Sequence, residues 1–416
     1  MLQGLIFLGI LLIVLGPVHW YLWRRLVKDT TRPGRWRKIL TVAFLTLVAS
    51  LIGAFIVPRV AGAEAGFVVA MVGYMWLAVM FYLLIIFAVL ELPRFVALRL
   101  ARPAVIAHAA APSGDNSTGV AVLDDAKTTT PVELRQGDAV DLSRRLLITR
   151  SMAIFAGLTA TGIVGYGVRT ALGDPVLKRI QVPLAKLPRS LDGYRIALVS
   201  DIHLGPLTGI EHTRRIVRNI NGMNADLVAI VGDLVDGSVA ELGDDAAPLR
   251  ELLSKDGAFF VTGNHEYYSG AQEWIDELRR IGVRPLLNER LEIRGLDLAG
   301  INDVTGNDFP ESGGGPDFGK ALGDRDPAKP VVLLAHQPVH AREAAKYKVD
   351  LQLSGHTHGG QMVPFNYIAR LQQPVISGLG DIDGTKVYVT NGAGFWGPPV
   401  RVGAPPDITL VELKAG

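Results

Sequence analysis

The chain of 416 residues contains no cysteine. That excludes disulfide frameworks, thiolate-held zinc, iron–sulfur clusters and cysteine nucleophiles, and it leaves His, Asp, Glu and Asn as the side chains able to hold a metal. Charge is also scarce, at 20% of residues against 49% hydrophobic. Wholesale disorder is therefore excluded, and a wholly soluble chain is a strained reading. A basic surplus is missing where a folded domain is expected. Residues 1–150 hold 16 Lys and Arg against 9 Asp and Glu, while residues 151–416 hold 26 against 31, a net +7 followed by a net −5. No nucleic-acid partner is expected of such a domain.

Long apolar runs, by contrast, are plentiful. Residues 2–23 carry no charge and close in His19, Trp20, Tyr21 and Trp23, the length and the aromatic end of a membrane span. No basic stretch precedes this run and no small-residue cleavage site follows it, so it reads as an anchor and not a cleaved signal. Two more uncharged runs, 39–57 and 66–90, lie close enough together to form a helical hairpin, and residues 151–168 form a fourth, shorter run rich in Gly, Ala and Thr. Seven basic residues fall between Arg24 and Lys38, whereas Arg59 is the one basic residue between the second and third runs. The positive-inside rule then puts the first loop in the cytoplasm.

The expected layout is three transmembrane helices in 1–102, a disordered cytoplasmic linker in 103–145, a fourth transmembrane helix in 146–172 and a folded domain in 181–416. This describes a multi-pass protein of the cytoplasmic membrane, partnered by the lipid bilayer, with the folded domain on the extracytoplasmic side. Residues 143–148, Ser-Arg-Arg-Leu-Leu-Ile, either resemble a twin-arginine export signal, which would make that export machinery a partner, or are the basic flank of the fourth span. Both readings keep Arg144 and Arg145 inside.

From residue 181 onward, short β-branched runs alternate with helical stretches. Residues 195–200, 227–231, 259–262, 331–335, 351–353 and 387–390 read as buried strands, 211–223, 246–253, 271–281 and 339–346 as helices, 291–301 as a hairpin and 408–413 as a closing edge strand. The fold class is α/β. Several strands end in polar clusters: Asp201-Ile202-His203, Gly232-Asp233-Leu234-Val235-Asp236, Gly263-Asn264-His265-Glu266, His336, and Gly355-His356-Thr357-His358. In an α/β sheet the carboxyl ends of strands gather at one crevice, so clusters distant in sequence can converge. Five of nine histidines fall in these clusters, beside carboxylates and an amide, which is a metal-ligand chemistry. His19, His108, His212 and His340 stand outside them and read as interfacial, linker and two helical histidines.

The ordered blocks D-x-H, G-D-x-x-D, G-N-H-E, a lone H and G-H-x-H resemble those of the calcineurin-like metallophosphoesterases, over roughly residues 195–413. The stretches around Gly355–Gln361, Asn391–Gly394 and Pro398–Arg401 are similar to its bacterial membrane-associated branch with an extracytoplasmic catalytic domain. The resemblance implies transmembrane helices followed by a two-sheet α/β sandwich, and a site for two divalent cations, Mn, Fe, Zn or Co. Asp201, His203 and His358 would hold the first, Asn264, His336 and His356 the second, and Asp233 would bridge them. A metal-bridging hydroxide would attack a phosphoester substrate, with His265 as general acid and Asp236 and Glu266 as carboxylates orienting it or a ligand imidazole. Which carboxylate does which stays open. Membrane tethering points to a lipid-linked or envelope phosphoester, monoester or diester. The rival readings are a cytoplasm-facing nucleotide phosphodiesterase and a non-catalytic metal-binding sensor or accessory protein.

Two further features are set aside. Residues 314–320 space glycines and a lysine like a phosphate loop, but Ala321 stands where Ser or Thr would bind magnesium, so a flexible insertion is expected. Phe365, Tyr367, Phe395 and Trp396 could line a substrate groove or touch the membrane, but packing beneath the site is the expected reading.

Overall fold

The computed structural model describes residue 13 and residues 15–61, 63–100 and 136–416. Residues 2–12 of the first expected span, residues 103–135 of the expected linker and His108 lie outside these. Three described helices are long and apolar enough to cross a membrane, with candidate spans Arg35–Pro58, Gly66–Arg99 and Arg144–Leu172. The last belongs to a helix running Gln136–Leu172. The end of the expected linker is thus helical, and residues 138–145 contain no Gly or Pro to stop it.

The chain divides into two compact units, one of residues up to 46 plus 80–160, the other of 47–79 plus 161–416. In the first, Arg25 pairs with Asp29 at 2.8 Å and with Glu91 at 2.7 Å, and Arg94 reaches Asp29 at 3.3 Å. Arg150 Nε donates to the Thr30 carbonyl and Thr149 to that of Asp29, tying the helix Gln136–Leu172 to the chain around residue 30.

The second unit holds the α/β domain, built on two six-stranded sheets. The first sheet has the order β1 (Val176–Leu184), β12 (Asp407–Ala415), β2 (Tyr194–Val199), β3 (Leu227–Val231), β4 (Ala258–Val261), β5 (Val283–Pro285). The second runs β10 (Gly378–Ile382), β11 (Thr385–Val389), β9 (Leu351–Ser354), β8 (Val331–Leu334), β7 (Leu296–Gly300), β6 (Glu289–Ile293). β2 to β5 are mutually parallel, as are β7, β8, β9 and β11. Such strands are buried on both faces, which is why β3 reads Leu-Val-Ala-Ile-Val without a polar interruption. Along β2, Ile196 and Leu198 point into the core between the sheets with Leu298, Val332 and Leu353, while Ala197 and Val199 face a second core under the helices. Each such buried aliphatic is worth roughly 1.5–3 kcal/mol.

Helix Ile210–Gly222 contributes Ile216, Val217 and Ile220 to that second core, and helix Ala271–Arg280 contributes Trp274 and Leu278, at the spacing of one helical face. On the far side, Phe318, Leu322 and Ala344 cover the second sheet. The result is the expected two-sheet sandwich with helices outside. Two expectations need correction. β12 is not an edge strand, because β1 pairs parallel with it along all nine residues. The helix expected at 246–253 instead runs Val239–Ala246 behind a Ser238–Glu241 capping box, and Pro248 lies in the tighter turn Ala247–Glu251 that follows.

Candidate metal centre

The polar clusters converge at the carboxyl ends of strands from both sheets. Asp201 and His203 follow β2, Asp233 and Asp236 follow β3, Asn264 and His265 follow β4, His336 follows β8, and His356 and His358 follow β9. The chain leaves the strands through tight turns: Asp201, His203, Asp233, His356 and His358 all have positive φ, between 49° and 70°. For residues with a Cβ this costs on the order of 1–3 kcal/mol each, and the surrounding sheet ends hold them there. Asp201 N–H donates to Gly232 and His203 N–H to Asp233. Close approach also demands glycine at two positions: a Cβ on Gly263 would collide with the Asp233 carboxylate, and one on Gly355 with Ser200 and Asp201.

Three groups of donor atoms result, one of them His203, Asp236 and His265, and the other two flank Asp233. In the first of these two, His203 Nε2 lies 3.1 Å from His358 Nε2, which lies 3.3 Å from Asp201 Oδ1. In the second, His356 Nδ1 is 3.2 Å from His336 Nε2 and 3.1 Å from Asn264 Oδ1. Asp233 Oδ2 stands between the groups, 3.1 Å from His336 Nε2 and 3.8 Å from His203 Nε2. Metal–ligand bonds of 2.0–2.2 Å give ligand-to-ligand edges of about 3–3.5 Å. Facing imidazole nitrogens at that spacing, with carboxylate oxygens beside them, fit divalent cations.

The carboxylates that could orient the imidazoles prove to have different tasks. Asp236 Oδ1 takes His203 Nδ1 at 2.9 Å and His265 Nδ1 at 2.6 Å. Glu266, fully buried, faces no imidazole in this way and instead accepts the backbone N–H groups of Gly263, Asp233 and Leu234 at 2.6, 3.0 and 2.7 Å. It pins the two strand-end turns together, and the reading of Glu266 as an imidazole-orienting group is corrected accordingly. Burial, reinforced by the Asp233 charge, lifts its carboxyl to about 7. Burial works against charge on His265, but Asp233, Asp236 and Glu266 outweigh it and raise the ring to about 9. Burial, Arg401 and His203 together hold His358 well below the usual histidine range.

Arg401 has no assigned task in the sequence reading beyond its place in the closing motif. It is completely buried; its Nη1 donates to the His358 carbonyl at 2.8 Å, Nη2 to that of Asn391 at 2.9 Å, and Nη2 also lies 2.9 Å from His358 Nδ1. Its partners are mostly backbone carbonyls, which leave no trace in a motif. His212 and His340, expected as helical residues, are buried, and His340 sits in the short turn Pro338–His340.

Around the mouth, His265 is ringed by Tyr268 and Trp396, with centroids 5.8 and 6.2 Å away. Phe395 packs inside as expected, but Phe365, Tyr367 and Trp396 are 46, 66 and 55% exposed. These three do not lie beneath the site. Residues 314–320 are no loose insertion either: Tyr267 and Asn302 bind the Gly314 carbonyl, and Asp317 caps a short helix, Phe318–Leu322.

A domain of this architecture, with Asp, His and Asn gathered at its strand ends, defines a class of metal-dependent phosphoesterases. Residues 194–360 match the family model described as calcineurin-like phosphoesterase. A Bos taurus transmembrane protein with a metallophosphoesterase domain is 38% identical over 298 residues, covering 68% of this chain and 66% of that protein. A Helicobacter pylori metallophosphoesterase is 37% identical, covering 65% of this chain and 72% of that protein, and an Aquifex aeolicus one is 36% identical, covering 57% and 91%. The chain belongs to the calcineurin-like metallophosphoesterase family. It spans 66% of the length of the bovine relative and 60% of a Danio rerio protein with the same description.

Proposed function

We propose that the protein is a membrane-tethered phosphoesterase, dependent on two divalent cations, that hydrolyses a lipid-linked or envelope phosphoester outside the cytoplasmic membrane. The observation that carries this reading is the convergence of two donor groups with Asp233 between them. Asp201, His203 and His358 would hold one cation, Asn264, His336 and His356 the other, and Asp233 both. Bound there, the cations supply the charge that activates water and offsets the build-up of negative charge at phosphorus.

The chain's own residues supply the rest. Asp236 accepts from His265 Nδ1, which leaves Nε2 free for a substrate oxygen. The Asp236 carboxylate against Nδ1 favours the protonated ring, the state needed to protonate a departing alkoxide. The same carboxylate oxygen also fixes the ring of His203, so the proton donor and a metal ligand share one anchor. The membrane helices and the family's transmembrane relatives support a membrane-bound substrate, and the charge of the short loops supports an extracytoplasmic site.

Full-length protein purified in detergent, assayed for metal content and for hydrolysis of bis(p-nitrophenyl) phosphate, tests the reading. Wild type should hold two divalent ions per chain and turn the substrate over, while Asp233→Asn should lose both ions and activity together. A wild type that binds metal without hydrolysing mono- or diesters would leave the sensor or accessory reading in its place.

A further inference from the structure

We propose that residues 365–371, together with Trp396, form a membrane-docking surface that holds the mouth of the metal centre against the bilayer, so that the substrate is an amphiphilic phosphoester whose tail stays in the leaflet. The substrate part of this inference rests on the phosphoesterase reading above; the docking part does not.

A continuous path of contacts runs from the membrane helices to the site. Gly167 lies five residues before the end of the helix Gln136–Leu172, and its carbonyl accepts the Arg401 N–H at 2.9 Å. The approach is close enough that a Cβ on Gly167 would stand 2.5 Å from Val400 Cγ1 and 2.9 Å from Val402 Cγ2. A Cβ on Gly397, in the same loop, would stand 3.9 Å from Tyr74 Cε1, in the span Gly66–Arg99. Arg401 in turn carries His358 through its two guanidinium contacts. One residue therefore connects the helix Gln136–Leu172 to a candidate metal ligand through packed backbone.

The same loop is stitched to the segment that follows the last histidine motif. Gln361 Nε2 donates to the Trp396 carbonyl at 2.9 Å, Trp396 N–H returns to Gln361 Oε1 at 3.1 Å, and Val363 N–H donates to Val402 at 3.0 Å. Directly after these bonds come Phe365, Tyr367, Ile368 and Leu371, the last 84% exposed, around the short helix Asn366–Ala369. Single exposed apolar residues are ordinary, but five large ones on two bonded segments, adjoining membrane helices, are a surface that water does not favour. Two aromatics with polar edges, two aliphatics and the neighbouring Arg370 are the composition of an interfacial segment. Trp396 belongs to this surface and also stands 6.2 Å from His265, so the surface and the mouth share a border. A phosphoester at headgroup depth would meet the site without leaving the bilayer.

The absence of native cysteine makes the test direct. Full-length Tyr367→Cys and Leu371→Cys, labelled with an environment-sensitive fluorophore and reconstituted in nanodiscs, should be quenched by lipids carrying a nitroxide high on the acyl chain. Leu253→Cys, 68% exposed on the turn before β4 at the opposite end of the sheet, should not. Equal quenching at the three positions, or cross-linking of two copies through residues 367 or 371, would overturn the docking surface. For the substrate, two diesters are compared, methyl p-nitrophenyl phosphate in solution and hexadecyl p-nitrophenyl phosphate in the nanodisc. In both, water adds its oxygen to phosphorus, the P–O bond to nitrophenol breaks, and nitrophenolate and a proton are released. Wild type should prefer the hexadecyl ester, and Ile368→Ser/Leu371→Ser should lose that preference by at least tenfold with the methyl ester rate within twofold of wild type. An unchanged preference would overturn the inference. A metal-loaded wild type inactive on both esters would instead refute the phosphoesterase reading, and the quenching result would still decide the docking surface.

Discussion

One carboxylate oxygen, Asp236 Oδ1, serves both His203 and His265, at 2.9 and 2.6 Å from their Nδ1 atoms. A proposed metal ligand and the proposed proton donor are therefore mechanically coupled. Asp236→Asn keeps the shape but removes the charge, and an amide cannot accept from both rings as strongly. Outer partners of this kind typically contribute 10- to 100-fold in metal affinity or activity. The variant is expected to lose about that factor in both, read by metal titration and by steady-state rates. Loss in only one of the two would show that the shared oxygen does not couple them.

His265 can be separated from metal binding, because it sits beside Asn264 but joins neither donor group around Asp233. General acid help is worth ~10²- to 10⁴-fold. His265→Ala should lose about that much kcat on a diester with a poor leaving group and much less on a nitrophenyl ester, with metal content unchanged. If the metals leave with the imidazole, His265 is a ligand; if good and poor leaving groups suffer alike, it positions or stabilises charge and does not donate a proton.

The central strands were legible because burial on both faces writes itself as an unbroken apolar run, as in β3. The polar clusters were legible because each follows the carboxyl end of an apolar run, and parallel strands bring those ends to one side within a sheet. That Asp201, Asp233 and Asn264 of one sheet meet His336 and His358 of the other is seen only in the fold. β1 was not legible: it pairs with β12 alone, its outer residues are exposed, and Lys178 and Arg179 break its pattern. Missing it made β12 look like an edge. The start of the helix after β3 is written in its Ser238–Glu241 capping box, a stronger signal than the apolar residues of 246–253. The roles of Glu266 and Arg401 could not be read, since both act on backbone groups, which every residue has.

Arg401 is the largest polar side chain fully buried in the domain, and its guanidinium serves the carbonyls of His358, Asn391 and Gly394. Arg401→Met fills a similar volume but leaves those carbonyls without donors, at about 1–3 kcal/mol each before relaxation. Unfolding of the detergent-solubilised protein should show a loss of at least about 3 kcal/mol, together with weaker metal retention as His358 loosens. A variant as stable as wild type would mean that water replaces the guanidinium.

The loop charges lead to a topology experiment. A reporter fused after Gly416 should report the extracytoplasmic side, and one inserted at residues 103–135 the cytoplasm. Replacing Arg144 and Arg145 with Lys distinguishes the two readings of that pair: retention of the domain inside favours twin-arginine export, and normal placement favours a basic flank. A cytoplasmic signal from the C-terminal reporter would remove the envelope substrate from consideration.

His212 supplies a pH dependence from outside the donor groups. It is buried in helix Ile210–Gly222, and Arg215 Nη2 donates to its Nδ1 at 2.9 Å. Burial first, and the Arg215 charge second, lower its pKa to about 4. An unfolded histidine titrates near ~6.5, so as pH falls the unfolded chain takes the proton before the folded one does. The contribution to stability is therefore complete above about pH 6.5 and is lost progressively as pH falls towards 4, by at most roughly 3 kcal/mol. His212→Gln removes the titrating group. Its thermal midpoint should fall less steeply than that of wild type between pH 7 and pH 5. Parallel slopes for the two proteins would show that His212 is protonated in the fold, or that its burial yields before the domain unfolds.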